Sequence, residues 1–266
     1  MPHHPRLDTM LTPRGGLTIA FDHGFQGVPV GLEDARARVR DVLALGPDAI
    51  IAPVGLYRSM RDEITDAGAG LVGAIDAAVV RDDVVTARAA VTTVEQLARL
   101  GADAAKVLFQ LDRTDEGFAT EMEFIATVVR EAEIVGLPVM IEPVLIGPEA
   151  PKSETTEAAE ARVLDGCRIA LELGADVLKA PVISVEAMKQ MVENSYVPVV
   201  VLGGPAFDQE EFLRGLDGAM EAGVRGIAVG RNAWSGRDAV ANVRAMREIV
   251  TNRNLEAALK IVREVN

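Results

Sequence analysis

The sequence predicts a single-domain α/β protein of the (β/α)8 TIM-barrel class, and three observations carry that prediction. First, eight short apolar segments recur along the 266 residues: Leu17–Phe21, Ala49–Pro53, Gly70–Ile75, Ala104–Phe109, Pro138–Glu142, Asp176–Lys179, Val197–Leu202 and Gly226–Val229. Each is apolar on both faces, as the strands of a buried parallel sheet are. Second, the segments between them have helical spacing, for example Leu32 to Leu45 and Phe118 to Val135. Third, four helical stretches end alike, at Leu45-Gly-Pro-Asp-Ala49, Leu100-Gly-Ala-Asp-Ala104, Leu173-Gly-Ala-Asp-Val177 and Ala222-Gly-Val-Arg-Gly226. In each, glycine supplies a left-handed C-cap and the next residues begin a strand.

Eight strand–helix units in about 250 residues match the size and rhythm of a barrel. A doubly wound open sheet is the alternative, weakened because no Gly-x-Gly-x-x-Gly follows the first strand. The chain reads as one domain over 1–266, with 1–14 an N-terminal extension and 252–266 a C-terminal amphipathic helix. The most loop-like stretch, Ile146 to Thr156, follows the fifth strand, where a barrel carries an active-site loop.

Composition narrows the function classes. Forty acidic residues against 27 Lys and Arg give a formal net charge of −13. Nucleic acid is therefore not an expected partner, because a phosphate backbone needs clustered cations. The single cysteine, Cys167, excludes an intrachain disulfide and reads as a small buried apolar residue in a helix. Met-Pro-His-His-Pro-Arg at the start carries no apolar signal region, and no apolar run reaches transmembrane length. No membrane partner is expected, and a reducing cytoplasm fits.

In a barrel enzyme the chemistry sits at the C-terminal ends of the strands. There the first strand ends in Asp22 and His23, the fourth carries Lys106, the fifth ends at Glu142 and the sixth at Lys179. A lysine closing the apolar run Gly174 to Lys179 also reads as a residue snorkelling from a strand end or held in a structural ion pair. Its company favours chemistry. Neighbouring strands lie about 4.8 Å apart, so inward lysines on the fourth and sixth strands can approach each other, with Glu142 between them able to reach both. A neutral lysine is a nucleophile that forms Schiff bases with carbonyl substrates. A nearby cation favours the neutral amine, and a glutamate can move its protons. His23 reads as a hydrogen-bonded residue lining the pocket. At the last two strands, Gly203-Gly204 and Gly230-Arg231 supply backbone N–H groups and a guanidinium at the usual phosphate site of such barrels. A zinc site needs several His, Cys or acidic ligands, and only His23 of the three histidines lies near a strand end, so no metal and no cofactor is expected.

These residues resemble the class I, Schiff-base aldolases of the (β/α)8 superfamily. The segment Ala20-Phe-Asp-His-Gly-Phe-Gln-Gly27, the Gly203-Gly204 pair and Gly230-Arg-Asn-Ala-Trp234 are similar to the archaeal-type fructose-bisphosphate aldolase group. Gly101-Ala-Asp-Ala-Ala-Lys-Val-Leu108, Ile141-Glu-Pro-Val144 and Gly174-Ala-Asp-Val-Leu-Lys179 are similar to the tagatose-bisphosphate and sulfofructose-phosphate aldolases. The resemblance implies Lys179 as the imine-forming residue, Lys106 as the second lysine, Glu142 as acid/base and Asp22 as a substrate contact. It implies a phosphate site at Gly204 and Arg231. One departure is plain: where the archaeal group commonly has Trp-x-Tyr on the fifth strand, this chain has Glu142-Pro143-Val144.

The implied activity is metal-independent cleavage or formation of a phosphorylated ketose, with dihydroxyacetone phosphate as the ketone fragment. The open alternatives are a Schiff-base transaldolase or thiolase-type reaction, a phosphosugar isomerase and a non-catalytic sugar-phosphate binder. For the aldehyde half, Gln26, Tyr57, Arg58 and Lys152 are candidates. Barrels of this family usually associate, so a homo-oligomer is expected.

Overall fold

The computed structural model describes residues 4–81, 84–111, 115–145, 156–204, 208–235 and 238–265. Its centre is a closed parallel barrel of eight strands, built from the eight apolar segments in sequence order. They are β1 (Gly16–Ala20), β2 (Ala49–Ala52), β3 (Gly70–Ala74), β6 (Ala104–Gln110), β7 (Val139–Val144), β8 (Val177–Pro181), β9 (Val199–Leu202) and β10 (Gly226–Val229). The missing numbers belong to an antiparallel hairpin, β4 (Asp76–Arg81) and β5 (Val84–Ala90), inserted directly after β3. Sequence reading left this segment unassigned. Its signal was Val79-Val80 and Val84-Val85 flanking a polar centre, a β-branched pattern too short to compete with the barrel rhythm.

Around the barrel run α1 (Ala35–Leu43), α2 (Val54–Asp66), α3 (Val94–Leu100), α4 (Asp115–Val135), α5 (Thr156–Glu172), α6 (Val185–Asn194), α7 (Gln209–Glu221), a short α8 (Arg231–Trp234) and α9 (Ala239–Asn252). α10 (Leu255–Arg263) closes the described chain and packs its buried Ala258, Leu259 and Val262 toward α7 and α9. Cys167 is buried on α5 with Sγ 3.9 Å from Met191 Sδ, and burial pushes its thiol up to about 12. Among the described residues no helix is long and apolar enough to cross a membrane. Of the loop expected from Ile146 to Thr156, residues 146–155 lie outside the described residues, Lys152 among them, and Thr156 already begins α5.

The repeated helix ends do more than cap. Gly46, Gly101, Gly174 and Gly223 all adopt positive φ, as the C-cap reading requires. The aspartates that follow three of them turn back on the neighbouring strand. Asp48 Oδ2 accepts from Leu17 N at 2.7 Å, Asp103 Oδ2 from Leu71 N at 2.8 Å and Asp176 Oδ2 from Val139 N at 2.8 Å. Each carboxylate thus satisfies an N–H at the start of the preceding barrel strand, staggering the strands at the barrel's N-terminal end. Asp103→Ala is expected to lower stability in urea denaturation by about 1–3 kcal/mol, the cost of orphaning a buried donor. Its turnover should be unchanged, because the chemistry lies at the other end.

That lower end is plugged from within the chain. The 3-10 turn Pro5–Leu7 brings Leu7 and Met10 under the barrel, against inward residues such as Ile51, Val72, Met140 and Val200. Arg6 Nη1 ties the turn to Ala102 O at 3.0 Å. Gly16 is required where the plug meets β1, since a Cβ there would lie 1.9 Å from Met10 O. With the bottom closed by apolar side chains, the polar residues are left to the mouth.

Candidate active site

Alternation along the strands decides which side chains face the barrel axis. Met140 pairs in register with both Lys106 and Val177. Glu142 and Lys179, each two residues further on, therefore share the next layer toward the mouth, and Lys106 rises from the layer below to join them. The three are buried, at 5%, 8% and 4% exposure for Lys106, Glu142 and Lys179. Glu142 bridges the lysines with one oxygen each: Oε2 lies 2.6 Å from Lys106 Nζ, and Oε1 lies 3.0 Å from Lys179 Nζ. β1 is followed by the 3-10 turn Asp22–Gln26, which aims Asp22 inward. Asp22 Oδ2 accepts from Lys106 Nζ at 3.2 Å, and its Oδ1 is 3.6 Å from His23 Nδ1.

Burial and charge oppose each other throughout this cluster. Burial works against the charge on Lys106, yet Glu142, Asp22 and Asp76 outweigh it and hold the ammonium above its ordinary value of 10.5. Burial likewise opposes ionisation of Glu142, and Lys106 and Lys179 overcome it, keeping that carboxyl below its usual value. Asp22 behaves the same way: against desolvation, Lys106, His23 and Lys179 hold it well below 3.8. For His23 burial dominates; with Lys179 and Arg231 repelling a proton, it outweighs Asp22 and moves the imidazole down from 6.5.

The sign of the linkage follows for Asp22. A carboxyl depressed in the folded state contributes stability that is present above its unfolded value and lost as the pH falls through the folded one. Thermal melting of the wild type is therefore expected to drop below about pH 4, and Asp22→Asn should flatten that acid limb.

The second predicted group gathers at the ends of β9 and β10. Gly203 and Gly230 are buried, Gly204 is half-buried and Arg231 is exposed at the start of α8. Asn232, which sequence reasoning did not single out, ties the two ends together: its Nδ2 donates to Gly203 O at 2.7 Å. Trp234 Nε1 donates to Ala20 O at 2.8 Å, and its ring meets the His23 ring edge-on at 5.3 Å. Gly230 is needed for space, since a Cβ there would lie 2.3 Å from His23 Cε1. The run Gly230 to Trp234 thus locks the β1 end to the β10 end, and its signal was the density of specific polar residues after a strand.

Two expectations for the aldehyde half are corrected. Tyr57 is buried on the fourth residue of α2, and its hydroxyl donates to Leu100 O at 2.5 Å, toward α3 and away from the mouth. Arg58 follows it on the outer helical surface, beside Thr93, Glu95 and Arg99. The chain enters α2 immediately after Pro53, so proximity to a strand end in sequence did not become proximity to the site. Nothing is described for the side chain of Gln26.

A set of buried charges was missed. Asp76 at the start of β4 and Arg88 on β5 lie 3.4 Å apart, and Arg88 Nη2 reaches Glu121 Oε2 on α4 at 2.8 Å. Burial pushes the Asp76 carboxyl up to about 6, although Lys106 and Arg88 pull it down. Partners 12 and 33 residues apart meet only through the hairpin, so no local pattern announced them.

A closed barrel with a buried lysine, its glutamate and a second lysine at the mouth is the equipment of a class I, Schiff-base aldolase. The chain belongs to the DeoC/LacD aldolase family, whose sequence profile matches residues 17–236. It is 30% identical over 257 residues to the 2-amino-3,7-dideoxy-D-threo-hept-6-ulosonate synthase of Halobacterium salinarum, covering 96% of this chain and 94% of the relative. It is 32% identical over 243 residues to the class 1 fructose-bisphosphate aldolase of Thermoproteus tenax, covering 88% and 89%. Among solved structures, an archaeal fructose-1,6-bisphosphate aldolase with its catalytic lysine covalently bound to the carbinolamine intermediate superposes with a TM-score of 0.78. That match is 27% identical and covers 92% of this chain and 98% of the other.

Proposed function

We propose that this enzyme cleaves or forms a phosphorylated ketose through an imine on Lys179, with dihydroxyacetone phosphate as the ketone fragment. The observation that carries the reading is Glu142, whose two oxygens lie 3.0 Å from Lys179 Nζ and 2.6 Å from Lys106 Nζ. Lys106 faces Glu142 and Asp22 and keeps its proton; Lys179 faces Glu142, which can take the proton Lys179 must lose to become a nucleophile.

The neutral amine then adds to the ketone carbonyl to give a carbinolamine. Glu142 returns a proton to the departing hydroxyl, water leaves, and an iminium remains. In the cleavage direction the bond between the carbons α and β to the iminium breaks. Its electron pair flows to nitrogen as an enamine, and the β-hydroxyl proton passes to Glu142 as the aldehyde forms. Protonation of the enamine carbon and hydrolysis release the ketone and restore Lys179. Lys106 binds substrate oxygens as a fixed cation, and Asp22 orients hydroxyl groups. The N–H groups around Gly203, Gly204 and Gly230, with the Arg231 guanidinium, take the phosphate and align the carbonyl with the lysine.

The absence of a tyrosine at Glu142-Pro143-Val144 supports giving all the proton work on β7 to Glu142. The Halobacterium relative's name favours a second reading, in which the same imine chemistry builds an amino-deoxy heptulosonate. Both readings share the enamine step. The test is exchange of the carbon-bound hydrogen of dihydroxyacetone phosphate in D2O without any aldehyde. Exchange of one prochiral hydrogen is expected with the phosphorylated ketone and not with dihydroxyacetone. Equal exchange of both compounds would refute the phosphate assignment.

A further inference from the structure

We propose that Asp76 and Arg88, both carried by the β4–β5 hairpin, are positioning residues for this reaction. They clamp the mouth end of β6 and so fix the Lys106–Glu142 contact through which Lys179 exchanges its proton. The inference rests on the aldolase reading above and assigns the hairpin a part in it.

The argument begins with where β3 stops. Its ladder with β6 ends at Ala74 opposite Lys106, and Ile75 N still donates to Lys106 O at 2.9 Å. A longer β3 would next offer a backbone carbonyl to Leu108 N. The chain instead turns away into the hairpin, and the Asp76 side chain takes over: Leu108 N donates to its two oxygens at 3.1 and 3.2 Å. The returning strand β5 completes the clamp, because Arg88 Nη1 donates to Leu108 O at 2.6 Å. Both backbone groups of Leu108 are thus held by hairpin side chains. Leu108 is the in-register partner of Glu142 on β7 and lies two residues beyond Lys106 on β6. The clamp therefore sets the height of the strand that carries one partner of the 2.6 Å Lys106–Glu142 contact and adjoins the strand that carries the other.

The chemistry of the clamp is costly if its purpose is only to seat a hairpin. Asp76, Arg88 and Glu121 are charged groups taken out of water, and apolar packing of similar volume commonly holds elements together at least as well. What apolar residues cannot supply is a directional hold on one N–H and one C=O. Arg88 is itself held over the Phe124 ring, 4.1 Å from its centroid, and by Glu121, so the clamp is anchored to α4 on its outer side. A shift of about 1 Å in a reacting group costs on the order of 100-fold in rate. That is the scale on which such an anchor acts.

The experiment is a double-mutant cycle on the full chain. The rate and KM of deuterium exchange into dihydroxyacetone phosphate are measured for wild type, Asp76→Ala, Lys106→Met and the double variant, with thermal melts of each. Asp76→Ala is expected to lower kcat about 10- to 100-fold with KM within about threefold. In the Lys106→Met background the same change should cost less than about twofold, because its route of action is already gone. Asp76→Asn, which keeps an acceptor for Leu108 N, should recover most of the lost kcat. Multiplicative losses in the cycle, or no recovery with Asn, overturn the proposal while leaving the aldolase reading intact. A wild type silent in exchange overturns that reading and the proposal with it. If Asp76→Ala does not fold, Arg88→Met, which releases Leu108 O, enters the same cycle: a loss below about twofold in the Lys106→Met background is expected, and multiplicative losses overturn the proposal.

Discussion

Lys179→Met is expected to abolish turnover, lowering kcat by roughly 10^4 to 10^6, the scale seen when a covalent nucleophile is removed. Methionine keeps the length and apolar stem of the side chain but has no amine. Glu142 retains Lys106 at 2.6 Å as its counter-ion, so the variant should melt close to wild type. Affinity for the phosphorylated ketone should survive, because the groups proposed to hold the phosphate lie at the ends of β9 and β10. Steady-state kinetics, a thermal melt and ligand titration on the same preparation check the three parts together. The rival readings separate here. A phosphosugar isomerase using Glu142 would keep its turnover in Lys179→Met, and a binding protein would have none to lose.

The second large effect is at Glu142. Glu142→Gln is expected to lower kcat by about 10^2 to 10^4, the usual worth of a positioned general acid–base. It should also destabilise the fold by about 3–5 kcal/mol, because it removes a carboxylate shared by two buried ammonium groups. Lys106 keeps Asp22 at 3.2 Å, whereas Lys179 loses the carboxylate it pairs with among the described residues. Adding Lys179→Met to Glu142→Gln should therefore recover part of the lost stability without recovering activity. Urea denaturation of the two single variants and the double measures that coupling. Independent, additive losses of stability would contradict the shared-carboxylate account.

The parts of this molecule that were legible in the sequence are those set by repetition and burial. The eight barrel strands stood out because each is apolar on both faces and is separated from the next by a helical pattern, in the number and rhythm of a barrel. Lys106, Glu142 and Lys179 were legible because a charged residue inside such a segment must either face the axis or be paired, and three on successive strands have one place to meet. The barrel geometry then made the bridge by Glu142 foreseeable. The hairpin was not legible, since no helix separates β4 from β5 and the pair departs from the strand–helix rhythm by which the barrel strands were read. Its contribution, Asp76 and Arg88 holding Leu108, depends on a departure from the ladder that only the three-dimensional path reveals. Tyr57 misled for a related reason: it stands near a strand end in sequence, but an immediate helix carries its ring away from the mouth to bury it against α3. Asn232 and Trp234 lay within a run already singled out, yet their work of joining β9, β10 and β1 required knowing which strand ends are neighbours.

Pairing explains how one mouth holds so many buried charges. Two lysines and two carboxylates neutralise one another in the centre, and the Asp76–Arg88–Glu121 set lies beyond them on the hairpin side. Asp76 acts on stability in the opposite sense to Asp22. Its folded value of about 6 is raised, so its contribution is present below about pH 4 and lost as the pH rises through 6.

The central claim is that Lys179 is the residue that bonds to the substrate carbon. Borohydride reduction in the presence of dihydroxyacetone phosphate, followed by peptide mass mapping, tests it most directly. The account predicts one secondary-amine adduct, on Lys179, that is lost in Lys179→Met. No adduct, or an adduct on Lys106 in the wild type, would contradict it.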